Sequence, residues 1–200
     1  MPLPSSISRE QIHHRSVECK AYLREDGLWD IEGNVVDTKS YSFPAPWKAV
    51  VPAGEAIHNM WVRLTVNEDM EVQDVETAMD SQPYWTCSEI LPNFKELIGL
   101  KIGKGWNRAV KERVGGRAGC THIVELLGPV ATTAFQAIGS MKYRRRRLSG
   151  DTQQPQTRPG NMDACYSWSS EGEMVRNLYP QWYTGDKDVP EQPAYPVTGE

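Results

Sequence analysis

The sequence predicts an α+β fold: an antiparallel meander sheet in the first half, packed by helices from the second half. Three observations predict it. Apolar residues alternate with a period of two in several short runs before residue 80. Turn-forming residues punctuate those runs. After Cys87 the apolar period lengthens to that of a helix.

The first alternating run is 16–23, where Val17, Cys19, Ala21 and Leu23 share one face. Residues 1–15, with Pro2, Pro4 and three serines, are expected to be a flexible arm, with His13 and His14 at the surface. Arg24-Glu25-Asp26-Gly27 supplies a turn. LWDIEGNVVDTKSYSF then predicts a second strand, a short turn at Gly33-Asn34 and a third strand. Residues 57–66 form the clearest strand, with Met60, Val62, Leu64 and Val66 on one face and Trp61, Arg63 and Thr65 on the other. MEVQDVETAM returns as its partner, which gives a sheet of about five strands.

Pro92 suits the first turn of a helix that continues through FKELIGL. Trp106, Val110 and Val114 follow at helical spacing, and Gly115-Gly116 ends that segment. The longest helix starts near Thr121, a suitable N-cap, with Ile123, Leu126, Leu127, Val130, Ala134, Phe135 and Ile138 as its apolar stripe. Pro129 is expected to kink or divide it. Residues 162–183 are aromatic enough to predict a hairpin that folds back. The whole predicts one domain over 16–185 and a mobile tail over 186–200.

Composition narrows the function. The chain has 200 residues, is 39% hydrophobic and 24% charged, and carries a formal charge of -4. That balance suits a globular domain and offers no global attraction for nucleic acid. The four arginines at 144–147 read as a solvated face. No purely apolar run reaches the roughly 18 residues of a bilayer span, and the first residues lack a signal-peptide core, so the expected location is the cytoplasm, away from membranes. A homodimer is left open.

The four cysteines at 19, 87, 120 and 165 form no CxxC pair. Each alone reads as a small buried hydrophobe. Yet His58, Cys87 and Cys120 all stand at element boundaries, and Cys120 opens a helix, where a thiolate is favoured. Three such ligands with an open position are the pattern of a zinc or iron site, and His122 follows closely. Asp30, Glu32, Asp37 and Lys39 make a second group. A solvent-facing sheet surface satisfies that pattern, and so does a carboxylate set working with His58 in proton transfer. Trp29, Trp61, Tyr84, Trp85 and Trp106, with His122, are the candidates to bind an aromatic substrate. GIGKGW lacks the GxxxxGK[ST] spacing of a phosphate loop.

The blocks YLREDGLWDIEGNVVDTKSY, GEAIHNMWVRLTV, CSEILPNFKELIGLKIGKGW, GGRAGCTHIVELLGPVATTAFQAI and MDACYSWSSEGEMVRNLYPQWY span about residues 15–185. They resemble the bacterial family called domain of unknown function 2889. The resemblance implies aromatic-compound catabolism, with lignin-derived phenols as the expected substrates. More distantly, strands followed by helices resemble the iron–sulfur scaffold fold. That likeness matches the three scaffold ligands to His58, Cys87 and Cys120, and places Asn59 near the scaffold aspartate. With His in place of the first Cys, it implies a single-metal site or a pocket reused for another ligand.

Two functions follow as expectations. One is a small enzyme without an organic cofactor, a carbon–carbon lyase that eliminates formaldehyde from a phenolic compound. It would use His58 with a carboxylate, or a single metal. The other is a non-catalytic protein that handles a metal or an iron–sulfur cluster.

Overall fold

A computed structural model describes residues 3–150 and 157–186. The chain divides into two units, 1–144 and 145–200.

The first unit holds a four-stranded antiparallel sheet in the order β1-β2-β5-β6, formed by β1 (His13–Leu23), β2 (Trp29–Lys39), β5 (Ala56–Val66) and β6 (Val72–Ser81). A separate two-stranded ribbon, β3 (Phe43–Ala45) and β4 (Lys48–Val51), sits in the connection between β2 and β5. The meander over helices is therefore as the alternation predicts, with four strands in the main sheet. β1 begins inside the stretch expected to be an arm.

One expected turn is absent. β2 runs without a break through Gly33-Asn34, pairing Gly33 with Cys19 on one side and Val62 on the other. Gly33 serves a close approach instead. A Cβ there would lie 2.5 Å from the Val130 Cγ2 methyl of α2 (Thr121–Leu148). Helix and sheet thus meet at the one β2 position without a side chain. Val130 is β-branched and has little rotamer freedom in a helix, so it cannot swing away. We expect Gly33→Ala to destabilise the fold by about 1–3 kcal/mol through overpacking. Urea unfolding of Gly33→Ala, Val130→Ala and the double variant checks this. In the double variant the two losses should fall short of their sum.

The core lies between the sheet and the helices. Ile31, Val35, Met60, Val62 and Leu64 project from one sheet face, and Ile123, Leu126, Leu127, Val130 and Ala134 meet them from α2. Phe135, expected in that stripe, is 42% exposed. Phe94 and Leu97 enter from a 3₁₀ segment, Cys87–Leu97, that accommodates Pro92 in its interior. Trp106, first residue of α1 (Trp106–Val114), is buried and donates its indole N–H to the Leu127 carbonyl at 3.0 Å, which ties α1 to α2.

α2 is assigned as one continuous helix across Pro129. Its first hydrogen bond runs from Val124 N–H to the Cys120 carbonyl at 2.9 Å, which makes Cys120, and not Thr121, the capping position. By length and composition this helix can cross a membrane, although the sequence shows no purely apolar run of that length. Its buried stripe belongs to the core just described. Arg145, Arg146 and Arg147 fall in its last turn, where positive charge complements the helix dipole.

In the second unit, residues 162–183 form helical turns where a hairpin was expected. They include α3 (Glu173–Leu178) and single 3₁₀ turns at Tyr166–Trp168 and Pro180–Trp182. Trp168 and Tyr179 stack at 5.4 Å. The expected tail lies outside the described residues, apart from Asp186.

Candidate active site around Asp37 and His58

Residues directly opposite one another in an antiparallel sheet point to the same face. In the register of this sheet, Arg15 on β1 faces Asp37 on β2, and Asp37 faces His58 on β5. Parity puts all three on the helix-facing side, in line with Val17, Val35 and Met60. The start of α2 comes over this end of the row with Cys120, His122 and Glu125. The site is therefore a polar row at one end of an apolar sheet face, closed by the start of a helix.

Asp37 is the centre. It is 0% exposed, so it needs partners. Arg15 holds it in a fork, Nε to Oδ1 at 2.8 Å and Nη2 to Oδ2 at 2.9 Å. His13 Nε2 lies 3.0 Å from Oδ1, and His58 Nδ1 lies 2.9 Å from Oδ2. Four contacts fill the four lone-pair positions of the carboxylate. Burial opposes ionisation of Asp37. The hydrogen bonds from Arg15 and His13, with the Arg15 charge and His58, more than offset it, and hold the group well below the usual carboxylate range. Arg15 also reaches Glu125 through Nη1 at 2.7 Å, which links β1 to α2. Asp37 in turn raises the Arg15 pKa by hydrogen bonding.

An ionised carboxylate only accepts hydrogen bonds, so Nδ1 of His58 is the donor. This leaves Nε2 of neutral His58 with a lone pair. The His58 and His122 rings lie face to face, with centroids 3.8 Å apart and planes tilted by 32°. Burial lowers the pKa of both. The neighbouring His122 lowers His58 further, against the pull of Asp37, and Arg15 lowers His122 further. Both rings therefore stay neutral to lower pH than a free histidine. His122 also lies 3.9 Å, through Nδ1, from the thiol of Cys120, which sits 3.7 Å from the Met60 sulfur. Ligand atoms of Asp37, His58 and His122 lie within 4.8 Å of one another, a group that can hold a metal ion.

The residues singled out in the sequence divide sharply. Asp37, His58 and His122 come together. Cys87 and Cys120 stand outside that three-residue group, so the set His58, Cys87 and Cys120 is not the one with ligand atoms this close. Asp30 and Glu32 differ in parity from Asp37 and face the other side of the sheet. There Asp30 accepts from Thr65 Oγ1 at 2.7 Å, and Glu32 pairs with Arg63 at 3.6 Å. Asn59 likewise turns away from His58, accepting from Asn34 Nδ2 at 2.8 Å. Lys39 donates to the Tyr41 hydroxyl at 3.0 Å.

The aromatic candidates form no single wall. Trp29 and Trp106 belong to the core. Trp61 bonds Asp80 at 2.9 Å and lines a separate cavity with Glu32, Arg63 and Lys95. Tyr84 and Trp85 are 51% and 75% exposed, and Tyr84 packs edge-on to Trp47 at 5.6 Å. Sequence reasoning missed Arg15 and His13. A signal existed: both continue the Val17, Cys19, Ala21 alternation, and a charge on an apolar face calls for a buried counter-charge.

The family model described as protein of unknown function (DUF2889) matches residues 13–136. The chain belongs to this family. The match begins at His13 and ends after Glu125, so the DUF2889 region contains every residue of the Asp37–His58 site. No curated protein and no solved structure matches the chain.

Proposed function

We propose that this DUF2889 protein is a small cytoplasmic enzyme that cleaves a carbon–carbon bond in a phenolic catabolite and releases formaldehyde, with His58 carrying the proton. The observation behind this reading is the Asp37–His58 pair. A buried carboxylate, locked by Arg15 and His13, fixes the tautomer of a histidine whose side chain keeps 16% of its surface exposed. That arrangement presents a neutral base of fixed direction.

The chemistry balances with one proton carrier. His58 Nε2 takes the proton of a hydroxymethyl group. The oxygen's electron pair forms the carbonyl of formaldehyde as the carbon–carbon bond breaks. The pair released from that bond forms a carbon–carbon double bond to the next carbon, from which an oxygen substituent departs. That oxygen takes back the proton from His58. No electron acceptor is consumed. Support for a phenolic substrate comes from the resemblance to aromatic catabolism. It comes also from Tyr41 and Phe43, which follow the end of β2 that carries Asp37.

The Asp37, His58 and His122 group favours a second reading, a single zinc or iron at the same place. Asp37 has its lone pairs engaged, so it would orient His58 from behind while free imidazole nitrogens met the ion. Iron–sulfur handling draws no support from this group, which contains no cysteine.

The test is a panel of lignin-derived phenols carrying a hydroxymethyl side chain, assayed for formaldehyde and for the alkene product by mass spectrometry, with and without a chelator. Release that survives chelation is expected. Release lost to chelation and restored by zinc or iron favours the metal reading. A panel with no formaldehyde from any member overturns the lyase.

A further inference from the structure

A cavity of about 430 Å³ opens beside the Asp37 row, lined by Gln11, His13, His14, Thr38, Lys39 and Ser40, with Ala53 and Gly54. Its volume falls in the range of small-molecule sites, roughly 300–1,000 Å³. Its wall is shared with the site already described: His13 lines the cavity and also binds Asp37 Oδ1 at 3.0 Å, while His58 binds Oδ2 at 2.9 Å. A ligand in the cavity is therefore one carboxylate away from the proposed base.

We infer that this cavity binds the carboxylate of an aromatic acid, with Lys39 as the residue that selects for it. The ammonium of Lys39 has a neutral partner, the Tyr41 hydroxyl at 3.0 Å, and lies 5.2 Å and 5.4 Å from the ring centres of Tyr41 and Phe43. Among the described residues no carboxylate forms an ion pair with it. The nearest acid of the row, Asp37, is already filled by Arg15, His13 and His58. The cavity thus joins a cation without a counter-ion to two imidazoles and the hydroxyl side chains of Thr38 and Ser40, and none of its lining residues is an acid.

Three backbone N–H groups of the lining are already engaged. The N–H groups of Ser40, Ala53 and Gly54 already donate to the Ile12 carbonyl, the Ser42 hydroxyl and the Lys39 carbonyl. The imidazole, hydroxyl and ammonium groups of the lining remain to meet an incoming anion. Lys39 is the only lysine or arginine among the lining residues, and Tyr41 and Phe43, outside the lining themselves, put aromatic surface beside its ammonium, which suits an aromatic acid better than a small inorganic anion.

That the anion belongs to the substrate rests on the proposed function. Binding itself does not, so the test measures binding without turnover. Isothermal titration of the full chain with 4-hydroxybenzoate, 4-hydroxybenzyl alcohol and inorganic phosphate, for the parent and for Lys39→Met, separates the outcomes. The benzoate is expected to bind at least about tenfold more tightly than the alcohol or phosphate, and Lys39→Met should erase that preference. Equal binding of benzoate and alcohol overturns the inference. So does phosphate binding as tight as benzoate, a preference that survives in Lys39→Met, or no benzoate binding at millimolar concentration. A circular dichroism melt of Lys39→Met confirms that the variant is folded. If benzoate binds but no phenol releases formaldehyde, the subsite stands and the lyase falls.

Discussion

His58→Gln protein should fold like the parent and lose the proposed formaldehyde release by about 10²–10⁴-fold, the usual contribution of a positioned acid–base group. Glutamine can still donate a hydrogen bond to Asp37, so the buried carboxylate keeps its partner and the melting temperature should move little. What disappears is the imidazole lone pair at Nε2. The parent's pH dependence carries a matching signature. Burial and the nearby His122 lower the His58 pKa, and the proposed base works when neutral. kcat/KM should therefore rise with pH through a midpoint below the ordinary histidine value of about 6.5, and be lost as pH falls through that midpoint. Chelated protein is the sample to use. Wild-type turnover in His58→Gln, or an acid limb above pH 7, would remove His58 from the role assigned to it.

Asp37→Ala should damage both stability and turnover. The side chain is the shared acceptor for Arg15, His13 and His58, and its loss takes that acceptor from all three, leaving the Arg15 guanidinium with Glu125 alone. Breaking a fully buried pair costs about 3–5 kcal/mol. Arg15 keeps 38% of its side-chain surface and also holds Glu125, so solvent screens part of the loss and about 2–3 kcal/mol is the expected cost. Urea denaturation measures it. Turnover should fall further than the folded fraction does, because His58 loses both its orientation and its fixed tautomer. Asp37→Asn separates the two effects: it restores a polar group of the same shape without the charge, and should recover more stability than activity. If activity in both variants merely tracks the folded fraction, Asp37 is a structural ion-pair partner alone.

The contrast between Asp37 and its neighbours on β2 shows how much of the site is written locally. Period-two alternation already separates Asp37 from Asp30 and Glu32, because residues an odd number apart face opposite sides of a strand. That rule also turns Asn59 away from His58, and it sets Arg15 and His13 on the face of Val17. Alternation is enough to sort the acids by face, whereas nearness in sequence is not, because neighbours on a strand point to opposite sides. Gly33-Asn34 misleads for a different reason. The same dipeptide suits a tight turn, or a flat place on a strand where another element comes close, and nothing within β2 distinguishes the two.

The amino-acid sequence by itself determined the antiparallel meander, the helical second half and the inward face of each strand, since these follow from side-chain period and turn chemistry within a few residues. His58 and Asp37 stand on that face for the same local reason. Only the tertiary structure decided that Arg15, Asp37 and His58 form one row, that His122 stacks on His58, and that Cys87 stays outside. Cross-strand register and the placement of α2 over Gly33 set those meetings, and both depend on packing between segments far apart in the chain. No local pattern encodes such contacts, because the free energy that selects them is the burial of the whole apolar face at once.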